Sequence, residues 1–162
     1  MMTFRLAVLS LVAVSAMLGQ SKQRYDGPRP TKDDVPFLLQ AGQLTEIESG
    51  EATERNEKDA TLYTVAGATS SVRTPVPEPI FIFKSDRINP ERLSLFRMES
   101  KSGNRVVTIP TSRRRSGPKP IFLMVNRLSG DLWRVEVNEY LENGEYCLTP
   151  EGLNKVFCFT AY

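Results

Sequence analysis

The chain contains no histidine. This absence excludes Ser-His and Cys-His catalytic pairs, His-ligated zinc or copper sites and any imidazole pH switch. The residues left that could do chemistry are two cysteines, three consecutive arginines and dispersed carboxylates. Two thiolates, Cys147 and Cys158, without histidine or further cysteines make an incomplete ligand set, so no metal is expected. No glycine-rich phosphate loop is present, and no cofactor is expected.

Arg113, Arg114 and Arg115, with Lys119 close by, fall between Pro110 and Pro120 in a stretch that also holds Gly117 and Pro118. Such a stretch is a loop. Guanidinium groups on a loop tip form bidentate pairs with phosphate or carboxylate, so an anionic envelope polymer, a lipid headgroup or an acidic protein is the partner class they would contact. The plainer role for the same run is a solvated loop. Residues 111–120 contain no aromatic side chain for base stacking, and no nucleic acid is expected as partner.

For a histidine-free hydrolase the options are a serine activated by lysine or carboxylate pairs such as Asp131 with Glu136, or Glu139 with Glu142, and no motif distinguishes any of them. The pairs' catalytic meaning would come from separation and burial in a cleft, which glutamates alternating along strands do not suggest. The sequence therefore reads as non-enzymatic. Glu46, Glu48, Glu51, Glu54, Glu57 and Asp59 form an acidic run without the spacing of a calcium loop, and are expected in a charged connection.

The elements that position these groups begin after an export signal. Residues 1–5 carry one positive charge, and residues 6–18 are apolar except for Ser10 and Ser15, the n-region and h-region of a secretory signal peptide. Thirteen residues rise only about 20 Å as a helix, against a hydrocarbon core of about 30 Å. Residues 1–21 are read as a cleaved signal peptide, so no integral membrane segment is expected in the mature chain, which would be periplasmic or extracellular. The full chain has a net charge of +2, too even for an obligate nucleic-acid binder.

Residues 22–34 are polar and broken by Pro28 and Pro30, and read as a flexible linker. From residue 35 to 162, short β-branched and aromatic runs alternate with Gly, Pro, Asn and Ser, the pattern of an all-β domain. Ten strands are expected, at 36–39, 44–48, 61–65, 80–84, 93–100, 105–109, 121–128, 132–140, 145–148 and 156–160. Short turns at Ser102-Gly103, Ser129-Gly130 and Asn143-Gly144 make neighbours antiparallel. Trp133, Val135 and Val137 alternate with Arg134, Glu136 and Asn138, which predicts a strand with one face in water. Residues 80–83, Ile-Phe-Ile-Phe, predict a central strand. Residues 51–60 are the one stretch with helical character, though without an apolar stripe.

At the C-terminus, Cys147 facing Cys158 would set Tyr146 opposite Phe159 and Leu148 opposite Phe157. That register sends Tyr146, Leu148, Phe157 and Phe159 to a core face and both cysteines to the other. The pair is then a candidate disulfide, with two buried thiols as the alternative. Leu141, Gly144 and Tyr146 entering the penultimate strand resemble the tyrosine corner of immunoglobulin-like and fibronectin-like sandwiches. The resemblance implies an antiparallel, immunoglobulin-like β-sandwich with Tyr146 as its corner residue, and it implies no activity. The expected function is a non-catalytic exported module that binds an unidentified protein or an anionic envelope polymer. The alternatives are a carboxylate-dependent carbohydrate-active enzyme, or an assembly factor acting by β-augmentation.

Overall fold

The computed structural model describes residues 25–112 and 116–162. The signal peptide reading of 1–21 and the arginine run 113–115 lie outside the described residues. Thirteen strands are present among the described residues: β1 Val35–Gln40, β2 Gln43–Glu46, β3 Glu48–Glu51, β4 Thr53–Asn56, β5 Ala60–Ala66, β6 Arg73–Thr74, β7 Ile80–Lys84, β8 Leu93–Lys101, β9 Asn104–Pro110, β10 Leu123–Ser129, β11 Leu132–Val137, β12 Gly144–Pro150 and β13 Lys155–Ala161. A 3-10 turn, Pro90–Arg92, precedes β8. Among these residues no helix is long and apolar enough to cross a membrane.

The strands form two antiparallel sheets, ordered β10-β11-β7-β1-β2 and β3-β13-β12-β8-β9-β5-β4, with β6 adding a short parallel pairing to β13. Tight two-residue hairpins fix the local register. Ser102 and Gly103 both have positive φ (51° and 77°), the conformation that matches the twist of the flanking β8 and β9. β7 lies mid-sheet as predicted, and Phe81, Ile82 and Phe83 are fully buried.

Between the sheets, Phe81 meets Phe159 with ring centroids 5.2 Å apart, and Phe83 meets Phe157 edge-on at 6.3 Å. Leu95, Val135, Tyr146 and Leu148 belong to the same core. Burying each such side chain contributes about 1.5–3 kcal/mol, so this layer holds the sheets together.

Three expectations are corrected. Residues 51–60 are not helical: Glu51 ends β3, which pairs with β13, Thr53–Asn56 form β4, which pairs with β5, and a bend at 58–59 leads into β5, because exposed charged residues without an apolar stripe gain more from completing a sheet edge than from an isolated helix. The strand expected at 44–48 divides at Ile47, where the chain passes from one sheet to the other. The second face of β11 is only partly in water. Leu132 is buried there, and Arg134 and Glu136 form a half-buried ion pair at 2.6 Å. Tyr25, at the start of the described chain, lies near Arg134 and is half-buried, with its phenol raised by burial, against which the Arg134 and Arg29 charges act. Trp133 is also only partly buried, with the Arg127 guanidinium 5.1 Å from its ring.

The larger sheet is curled into a half-barrel, and the strand order shows how. Its two end strands, β3 and β4, are consecutive in the chain and separated only by Ala52. One extended run therefore pairs with β13 in its first half and β5 in its second, so the sheet bends round until its ends meet in sequence. Ala52 is buried at the bend, and its N–H donates to the Asn154 carbonyl at 2.7 Å.

Candidate functional site

Directly paired residues share a face, and side chains alternate along each strand. Cys147 pairs with both Cys158 and Phe96, Tyr63 with Val107, and Val65 with Arg105, so these residues all point into the concave side of the curled sheet. That concave side is organised in three levels.

The middle level is apolar. Val65, Met98, Val156, Ala52 and the two cysteines pack there, with Tyr63 and Val107 against them. Cys147 and Cys158 are bonded as a disulfide, in the register predicted, with Tyr146 opposite Phe159 and Leu148 opposite Phe157 on the other face.

One end is closed by a buried polar network. The Arg105 guanidinium, 1% exposed, donates from Nη2 to Glu48 Oε1 and to the Ala66 carbonyl, and from Nε to the Gly67 carbonyl. Glu145 accepts from the Ser70 N–H at 2.8 Å and the Thr160 hydroxyl at 2.7 Å. Burial pushes the Glu48 carboxyl up, but hydrogen bonds from Arg105 and Ser70 and the Arg105 charge outweigh it and hold the group below the usual carboxylate range.

The other end opens into a groove of about 690 Å³. It exists because β8 and β9 pair only near their hairpin, Glu99–Lys101 with Asn104–Val106, and diverge beyond it. Phe96 and Met98 line one side of the divergence, Val107 and Ile109 the other. At the mouth stand Glu54, Glu91, Arg92 and Glu151. Arg92 is bonded to Glu151 at 2.6 Å, and the Glu151 N–H donates to the Arg92 carbonyl, so the 3-10 turn is clamped to the β12–β13 connection. A groove of this size with an apolar floor and few polar groups at its edge suits a small-molecule ligand.

This cleft was not expected from the sequence. The missed signal is β8 itself, where Leu93 and Leu95 alternate with Phe96 and Met98 across a shift in phase, so both faces carry apolar residues. A strand of that kind has a second surface to cover.

The residues singled out from the sequence fall elsewhere. Lys119 is exposed in the segment that returns from the arginine run, where Gly117 packs so closely on the Pro110 ring that a Cβ would collide with it. Tyr146 is buried, stacks on Phe159 at 5.7 Å, and donates its hydroxyl to the Glu142 carbonyl at 2.8 Å. Arg97 braces the same turn through Glu142 Oε2 and the Asn143 carbonyl. Burial raises the Tyr146 phenol, with Arg97 opposing.

The suggested carboxylate pairs each have separate partners: Asp131 approaches Lys84, Glu136 holds Arg134, Glu139 accepts from the Phe122 N–H, and Glu142 holds Arg97. The acidic run is likewise divided, with Glu46 on Lys32, Glu48 on Arg105 and Glu57 on Arg55. Among the described residues no group of three or more carboxylates or cysteines is placed to hold a metal. No protein-family model, no curated protein and no solved structure matches this chain.

Proposed function

We propose that the protein is an exported, non-catalytic binding module of the cell envelope or extracellular space, built as an immunoglobulin-like β-sandwich, and that its ligand lies in the groove of the curled sheet. The groove is the observation that carries this reading: an apolar floor, walls held open where β8 and β9 diverge, and a polar network sealing the far end. Export rests on the n-region and h-region of residues 1–18, and the disulfide is in keeping with an oxidising compartment. The two packed sheets and the Tyr146 contact support the sandwich reading.

A carbohydrate-active enzyme would use a pair among Glu54, Glu91 and Glu151. All three are exposed, and a solvated carboxylate lacks the desolvation that keeps a general acid protonated. A role in β-augmentation is favoured by one observation: β10 is an outer strand of its sheet and carries a single charge, Arg127.

The test is purification of the mature protein from its own host's envelope and identification of small molecules that co-elute, compared with Met98→Trp, which fills the groove. A stoichiometric molecule bound by the wild type and absent from the variant is the expected result. Equal content in both, or none in either, overturns the groove as binding site.

A further inference from the structure

The groove separates its chemistry by depth, and the charge lining it is mainly acidic among the described residues. Its floor is made by Val65, Met98, Val107, Val156 and the disulfide. Among the described residues its mouth carries Glu54, Glu91 and Glu151 against one basic residue, Arg92, and Arg92 is already bonded to Glu151. Glu54 and Glu91 have no ion-pair partner among the described residues. The sealed end repeats the imbalance, with Glu48 and Glu145 around Arg105. Among the described residues the concave side thus holds five glutamates and two arginines, in a protein whose net charge is +2. An anionic ligand head would meet this field unfavourably at either end.

We infer that the groove takes a cationic amphiphile, an apolar body seated on the Met98–Val107 floor with an ammonium or guanidinium head at Glu54 and Glu91. This rests on the groove reading above and adds the sign of the ligand's charge. The apolar body supplies the burial that drives binding. The two carboxylates select the head, because opposite charges are favoured and like charges penalised at the point where the ligand leaves the apolar floor.

The experiment compares two ligands with the same tail, dodecyltrimethylammonium and dodecanoate, titrated calorimetrically into the mature protein below their micelle-forming concentrations. The ammonium compound is expected to bind roughly fivefold more tightly at low salt, the scale set by two exposed carboxylates. The preference should fall below about twofold in a Glu54→Gln/Glu91→Gln double variant and at high salt, where exposed charges are screened. Both substitutions lie on the exposed rim, so the fold should persist. Met98→Trp should remove binding of either ligand. If that variant does not fold, Ile109→Trp, nearer the mouth, is the second groove-filling variant.

Dodecanoate binding as tightly as the ammonium compound, or a preference that survives the double variant, overturns the cationic assignment while the groove reading stands. Binding of neither ligand also overturns the assignment, and the co-elution experiment then decides the groove reading separately.

Discussion

Glu48 and Arg105 are 57 residues apart, on strands that are not neighbours in the sheet, and form an ion pair across the inside of the curl. Strand pairing alone curls this sheet only along its ladder, whereas this contact ties β3 directly to β9. Arg105 is 1% exposed and Glu48 retains 26%, so the two ends of the pair differ in their access to water.

That asymmetry predicts unequal costs. Glu48→Ala leaves a guanidinium buried with only two carbonyls for partners and should destabilise by about 3 kcal/mol. Arg105→Met leaves a carboxylate that still reaches water and should cost less. Urea denaturation of the two variants measures the order, and a reversed order would mean that Arg105 acts mainly by filling space.

Acid should unfold the protein through a small set of carboxylates. Glu48 is held below its usual range by the bonds and charge that outweigh its burial. Asp34 is likewise lowered: burial pushes it up, and hydrogen bonds from Ser85 and Arg87 and the Arg87 charge more than offset that. A carboxyl depressed in the folded state contributes stability above its unfolded value, near 4, and loses it as pH falls through the folded value. Stability should therefore be flat from about pH 7 to 5 and decline below about 4. Asp34→Asn should flatten that decline; an unchanged acid limb in chemical denaturation would assign it to other groups.

The disulfide closes a sequence separation of 11 residues, worth about 3 kcal/mol by loop entropy. Protein recovered from the exported fraction should show no free thiol, and a Cys147→Ala/Cys158→Ala variant should lose about that much stability. Two thiols titrating in native exported protein would show that the bond does not form in its compartment.

The aromatic residues of the two sheets are not equivalent. Phe157 is fully buried, and Phe157→Ala should cost about 3–5 kcal/mol. Trp133 is partly exposed beneath Arg127, so Trp133→Ala should cost clearly less, about 1–2 kcal/mol. Thermal or urea unfolding of the pair distinguishes the inner layer from its margin.

The arginine run is proposed to contact an anionic envelope component, with Lys119 contributing from the exposed segment beside it. Pull-down of envelope material should weaken with salt and be largely lost when Arg113, Arg114 and Arg115 are all replaced by serine. Capture that the triple substitution leaves unchanged would remove the run as a contact site.

The sequence alone determined the features that depend on neighbours along the chain. Alternation and turn residues located ten strand regions, of which 44–48 splits between β2 and β3 and 132–140 stops at Val137, and Tyr146, Cys147 and Leu148 facing Phe159, Cys158 and Phe157 followed from a single hairpin. Ile80 to Phe83 read as central because an unbroken apolar run needs cover on both faces. Tertiary structure decided what lies opposite the core. β3 and β4 carry charged, weakly patterned residues whose strand state depends on β13 and β5, more than 90 residues downstream in one case and immediately following in the other. The curl they close brings Glu48 to Arg105 and opens the groove between β8 and β9. Those contacts join residues that no turn or periodicity relates, and they exist only once the sheet has folded round on itself.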